Sequence, residues 1–95
     1  MILNQLIVKK RKEIDMSQTI LALELGISND YLCKVEKGEK ILSKVRLNDI
    51  SRILKIDINL LEELWLIDKI LFLIKEEDRS DKIKELLINE YRKYI

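Results

Sequence analysis

The sequence predicts an all-α fold, and three observations carry that prediction. Apolar residues make up 47% of the 95 residues and recur three and four positions apart, the spacing of one face of an α-helix. No run alternates apolar and polar residues for long enough to indicate a strand. The chain has no proline and two glycines, too few for the many tight turns of a β-sandwich or barrel. We therefore expect one small helical core, because a chain of this length forms one domain at most.

Apolar spacing predicts the first helix, and capping residues predict the second and third. A first helix is expected over residues 4–15. Ser17 and Ser28 are good N-caps for a second and a third helix, since a serine hydroxyl can accept a hydrogen bond from the first turn. Gly26 and Gly38 would end those two helices, because glycine readily takes the left-handed conformation that follows a helix.

The second half of the chain predicts three more helices. Ser43 would cap a fourth helix and Asp57 a fifth, and a last helix would end near Tyr94 after the polar segment 76–81. The fourth helix is expected to turn five apolar side chains inward, namely Val45, Leu47, Ile50, Ile53 and Leu54.

The composition excludes several function classes. The chain has no histidine and one cysteine, Cys33, which rules out histidine-based catalysis and a zinc site. It also has no glycine-rich phosphate loop, so we expect neither an enzyme nor a cofactor or metal. No apolar stretch exceeds five residues, so no membrane span or exported leader is expected. A lone cysteine fits a reduced, cytoplasmic setting.

Charge is nearly balanced overall but not along the chain. Eighteen basic and seventeen acidic residues leave a net charge of +1. The basic excess lies in the first half, where residues 9–12 read Lys-Lys-Arg-Lys. This asymmetry is compatible with a first half that faces an anion, although a solvated helix end would look similar.

The most informative segment is residues 18–38, QTILALELGISNDYLCKVEKG. Two short helices meet across Gly26, and the small Ala22 stands where they must approach closely, which predicts a helix-turn-helix. The segment resembles the Xre-like family of phage repressor and Cro type, and the resemblance extends over about residues 6–64. Eight residues fall at family-like positions, namely Gln18, Ala22, Gly26, Ser28, Leu32, Val35, Glu36 and Gly38.

We expect a five-helix DNA-binding domain of the type that the resemblance implies over residues 1–64. A C-terminal helical extension, beyond the resemblance, is expected over residues 65–95. In the family, the exposed face of the third helix meets the bases. The residues that match those positions are Asn29, Asp30, Cys33 and Lys34. At 100° per residue these polar side chains fall within about 140° of arc, away from Leu32 and Val35. A merely solvated helix face is the alternative.

Contacts to the DNA backbone are expected on both sides of that face. Gln18 and Ser28 open their helices, where backbone N–H groups favour an anion, and the resemblance assigns such residues to phosphates. Lys37, Lys40 and Lys44 follow the third helix and could hold the flanking strand.

The resemblance also implies a structural ion pair between Arg11 and Glu36; two unrelated surface charges are the alternative. Asp30 departs from the family, because polar or basic residues are common at its position. The low net charge predicts modest non-specific affinity for DNA.

The C-terminal extension carries more apolar surface than one small domain can cover. Twelve of the seventeen residues from 58 to 74 are apolar and span more than half of a helical wheel. We expect a helical hairpin that closes on a second copy, with burial within one chain as the alternative. The expected dimer interface comprises Leu61, Leu64, Trp65, Leu71 and Phe72.

These features together predict a homodimeric, sequence-specific DNA-binding regulator that represses transcription at a palindromic operator. Activation, as by a restriction-modification controller, is an open alternative. Two other functions are also open. One is an antitoxin that binds DNA and binds a protein toxin with its C-terminal helices, and the other is a protein-interaction adaptor that has lost DNA binding.

Overall fold

The computed structural model describes residues 2–75 and 80–94, and the all-α fold is confirmed. The described residues form six α-helices, one 3₁₀ turn and no strand. The helices are α1 (Leu3–Glu13), α2 (Gln18–Leu25), α3 (Asn29–Glu36), α4 (Leu47–Leu54), α5 (Ile58–Lys75) and α6 (Ser80–Tyr94). Of the polar segment predicted at residues 76–81, residues 76–79 lie outside the described part of the chain.

The predicted caps of α2, α3 and α5 are confirmed. Ser17 and Ser28 each accept a hydrogen bond from the backbone N–H three residues later, at 3.1 and 3.0 Å. Asp57 does the same for α5, at 3.1 Å. Gly26 and Gly38 have φ angles of 68° and 78°, and Gly26 directly ends α2.

The predicted start of the fourth helix is wrong. Ser43 makes no side-chain cap, and residues Lys44–Arg46 form a 3₁₀ turn before α4 begins at Leu47. Val45 is 75% exposed rather than turned inward. A 3₁₀ turn rotates about 120° per residue, so Val45 lies off the stripe of α4 that enters the core.

One apolar core is shared by the five helices from α1 to α5. Its fully buried large side chains are Ile7, Leu21, Leu25, Leu32, Leu42, Leu47, Ile50 and Leu61. Because Leu61 is 0% exposed, it has no surface to offer a second copy, and its assignment to a dimer interface is wrong. Trp65 packs against the same core, and its indole Nε1 donates to the Leu42 carbonyl at 2.7 Å. The expected boundary between residues 64 and 65 therefore falls inside a continuous helix.

The second half of α5, together with α6, forms a helical hairpin that projects from this core. The radius of gyration is 15.0 Å, against roughly 12 Å for a compact chain of this length. Apolar side chains stay exposed along the hairpin, namely Leu66, Ile67, Ile70, Leu73, Leu86, Leu87 and Ile88. No helix in the described ranges is long and apolar enough to cross a membrane.

Candidate nucleic-acid interface

The turn between α2 and α3 brings the two helices into close contact. Ala22 is 2% exposed at this contact, and its carbonyl accepts the Ile27 N–H at 3.0 Å just after the turn. Arg46 reaches back to the end of α2, where its Nη1 donates to the Leu25 carbonyl at 2.8 Å. The Arg46 contact lies between segments far apart in the sequence, and nothing in the local pattern indicates it.

The exposed face of α3 holds the four side chains expected to meet bases. Asn29 and Asp30 are exposed, while Cys33 and Lys34 are half-buried. Leu32 and Val35 are buried on the opposite side. The polar face of this eight-residue helix is therefore accessible to a ligand as large as a DNA duplex.

Two of these side chains pair with each other. Lys34 Nζ lies 3.2 Å from Asp30 Oδ2, and the two side chains are 41% and 78% exposed. The ammonium group thus has an acidic partner on the same helix face. Such an exposed pair stabilises a helix by less than about 0.5 kcal/mol, so Lys34 can leave it for a stronger acceptor.

Glu36 joins three helices at the end of α3. Arg11 of α1 donates to both carboxylate oxygens, from Nε and Nη2, at 2.9 Å each. Gln18 of α2 donates from Nε2 to Oε1 at 3.0 Å. The side chains of Arg11 and Glu36 are only 12% and 6% exposed, so these bonds are shielded from water and fix α3 relative to α1 and α2.

Gln18 therefore has a role that its place at the start of α2 does not reveal. One N–H of its amide donates to Glu36, so the amide has one further N–H. Asn4 of α1 likewise reaches α3, since its Nδ2 donates to the Glu36 carbonyl at 3.1 Å. A polar residue within the apolar start of α1 is the one sequence signal for this contact.

Two aromatic side chains hold the loop between α3 and the 3₁₀ turn. The Tyr31 hydroxyl donates to the Ile41 carbonyl at 3.0 Å, and Trp65 binds the neighbouring carbonyl of Leu42. The Ile41-Leu42 segment is thus anchored at both carbonyls.

The three lysines of this region are exposed, and two of them lie near those rings. Lys40 Nζ is 5.9 Å from the centroid of the Tyr31 ring, and Lys44 Nζ is 5.8 Å from that of Trp65. Lys37 directly follows α3 as its C-cap. Three exposed ammonium groups therefore follow α3 within eight residues, one at its C-cap, one in the loop and one at the start of the 3₁₀ turn. No three His, Cys, Asp or Glu side chains within the described residues could together hold a metal ion.

Comparisons with known proteins agree with this geometry. A family model described as helix-turn-helix matches residues 7–61, more than half of the chain. The chain is also 38% identical over 60 residues to the ImmF control region 10 kDa protein of Bacillus phage phi105. That match covers 63% of this chain and 67% of the relative. No solved structure matches the chain significantly.

Proposed function

We propose a function for this chain from the premise that it belongs to the Xre-like helix-turn-helix family of DNA-binding regulators. In this proposal the protein is a cytoplasmic homodimer, and it represses transcription by occupying an operator. One observation carries the proposal: α3 has an exposed polar face, and three exposed lysines follow it within eight residues. The relative is named for a phage control region, which supports a regulatory role.

The side chains on α3 have the chemistry needed to read base edges in a major groove. The Asn29 amide can pair bidentately with adenine, Lys34 can donate to guanine, and Asp30 can accept from cytosine N4. The half-buried Cys33 lies between them on the same face and completes the proposed base-reading set.

The flanking groups suit phosphates. The Ser28 oxygen accepts a backbone N–H at the start of α3, and its own hydroxyl hydrogen is left to donate. Gln18 has one amide N–H left at the start of α2. Lys37, Lys40 and Lys44 supply the positive charge that releases counterions from DNA.

A second copy is needed because one reading helix meets few base pairs. The eight residues of α3 span about 12 Å, whereas two copies related by a two-fold axis can read half-sites about 34 Å apart. The α5–α6 hairpin offers the surface for that copy. Its groove, about 320 Å³ in volume, is lined by Ile67, Ile70, Leu71 and Leu87.

One of the predicted interface residues, Leu71, lines this groove. Phe72 is half-buried and, as the next residue of α5, points about 100° away from Leu71, so it can contribute at the border of the groove. Leu64 and Trp65 already pack against the core of their own chain, so they can contribute only at the edge. We place the dimer contact on the groove residues and Phe72. Repression then follows sterically, because an occupied operator excludes polymerase.

The experiment is a binding titration on DNA from upstream of the chain's own gene. Fluorescence anisotropy should give tighter binding to one fragment of that region than to random DNA of equal length, and a footprint should show two symmetric half-sites. Equal affinity for both DNAs, or no binding to either, contradicts a sequence-specific regulator.

The exposed apolar hairpin also favours a second candidate, an antitoxin that covers the same groove with a protein toxin. The two candidates differ in what covers the groove of the purified chain. A repressor is a stable dimer by itself, whereas an antitoxin would require the product of a neighbouring gene. Sedimentation of the chain alone and with that product distinguishes them.

A further inference from the structure

Asp68 of α5 is a buried charged residue, only 3% exposed. Its two carboxylate oxygens accept backbone hydrogen bonds from the start of α1. Oδ1 receives the Ile2 N–H at 3.0 Å, and Oδ2 receives the Leu3 N–H at 2.8 Å. A residue of the C-terminal extension thus caps the first helix of the DNA-binding domain.

The cap is needed because α1 has none of its own. The residue at its N-cap position is Ile2, which offers no side-chain acceptor, and its first turn contains no acidic residue. Uncapped N–H groups at a helix start cost free energy when they are buried, and a negative charge there is favoured by the helix dipole. Asp68 supplies both the acceptors and the charge.

The end of α1 that Asp68 holds also contacts α3. Asn4, the residue after the two capped positions, donates to the Glu36 carbonyl at 3.1 Å. Asp68, Asn4 and Val35 all border one small cavity of about 10 Å³. Helices α1, α3 and α5 therefore meet at a single junction.

The same stretch of α5 faces the proposed dimer contact. Ile67 and Ile70, on either side of Asp68 in the sequence, line the hairpin groove, while the Asp68 carboxylate reaches the opposite way, into the junction. A second copy that covers the groove would therefore contact the same turn of α5 that carries the carboxylate.

We infer that Asp68 is a positioning residue for DNA recognition, which fixes the start of α1 to α5 and so couples the covering of the hairpin groove to the placement of α3. This inference rests on the proposed function. Coupling of this kind is reciprocal, so operator binding should in turn favour the dimer.

The test compares Asp68→Ala with Asp57→Ala in the full chain. Both variants remove a carboxylate that caps a helix, but Asp57 caps its own helix α5 and touches neither α1 nor α3 in the contacts described. Operator affinity is measured at a temperature where circular dichroism shows each variant folded, and at a concentration where sedimentation shows each dimeric. We expect Asp68→Ala to lose about tenfold in affinity and Asp57→Ala to stay within about twofold of the wild type.

Two further variants keep the inference testable. Asp68→Asn preserves the shape of the side chain and one acceptor oxygen, so it replaces Asp68→Ala in the test if that variant does not fold. Its expected loss of operator affinity lies between those of Asp68→Ala and Asp57→Ala. Asn4→Ala should also weaken operator binding. The double variant Asp68→Ala/Asn4→Ala should lose less binding free energy than the two single variants combined, because both changes break the same connection between α5, α1 and α3. Wild-type affinity in the folded Asp68 variants, or strictly additive losses, overturns the inference.

Hydrogen exchange in the free protein separates this inference from the proposed function. Without DNA, the amides of α3 should exchange faster in Asp68→Ala relative to those of α4, but not in Asp57→Ala. If the wild type binds no operator, the proposed function fails and this exchange difference still decides the positioning role. Uniform acceleration across both helices overturns it.

Discussion

Lys34 Nζ lies 3.2 Å from Asp30 Oδ2 on the exposed face of α3, so the cation proposed to read a base is paired in the free protein. Asp30 precedes Lys34 by four residues, the favourable order for such a pair on a helix. We expect this pair to make the face selective, because Lys34 would leave its carboxylate only for a stronger acceptor and Asp30 would repel an approaching phosphate.

Asp30→Asn should therefore strengthen binding to random DNA while reducing the preference for the operator. Loss of one repulsive charge at the interface amounts to about 1 kcal/mol, or roughly fivefold in non-specific affinity. The measurement is a pair of anisotropy titrations, on operator and on random DNA, at one salt concentration. Unchanged affinity for random DNA contradicts this role for Asp30.

Asn29→Ala and Lys34→Ala should each cost about 1–3 kcal/mol at the operator and relax the preference at one base pair. The reason is that each side chain would lose hydrogen bonds to one base edge. Binding to a panel of single-base operator variants locates the position. Asn89→Ala and Lys84→Ala, exposed on α6, are matched controls and should change nothing. Equal losses on operator and random DNA would instead assign Asn29 and Lys34 to the DNA backbone.

Lys37, Lys40 and Lys44 are expected to neutralise phosphates. Replacing any one of them with alanine should reduce the slope of log K against log salt by about one unit, without changing base preference. Lys82→Ala on α6, which removes the same charge from an exposed site, is the control. Slopes equal to that of Lys82→Ala in all three variants contradict the assignment.

Gly26 is expected to be required for its backbone conformation and not for space. Its φ is 68°, and an added Cβ would lie 3.6 Å from Arg46 Nη1, an ordinary contact. Gly26→Val should therefore destabilise the fold by about 1–2 kcal/mol or more, from left-handed strain, and Gly26→Asn by less, because asparagine tolerates that region. Thermal unfolding of the three proteins checks the order. Equal melting temperatures contradict the turn geometry.

Local features of this fold could be predicted from the sequence, whereas features set by distant contacts could not. Ser17, Ser28 and Gly26 act within their own helix or turn, so the residue type alone indicates the role. The burial of Leu61 depends on how much of α5 the core covers, which a helical wheel does not give. The capping role of Asp68 depends on a helix start 65 residues away in the chain. The one sequence signal for it is that α1 begins without a capping side chain of its own.

The last prediction is that the hairpin groove forms the dimer that operator binding requires. Truncation after Leu64 is a poor test, because it would also remove the Trp65 hydrogen bond to the core and the Asp68 cap of α1. Ile70→Glu is sharper: Ile70 is 44% exposed and lines the groove, so a charge there is tolerated in a monomer but not when a second copy buries it.

We expect Ile70→Glu to sediment as a folded monomer under conditions where the wild type is a dimer. Its affinity for a palindromic operator should fall by about a hundredfold or more, while binding to a single half-site changes little, because α3 and its lysines are untouched. Ile14→Glu is the matched control, since Ile14 is 49% exposed at the end of α1, and it should stay dimeric. A monomeric wild type at micromolar concentration, or an Ile70→Glu variant that still dimerises, places the interface elsewhere.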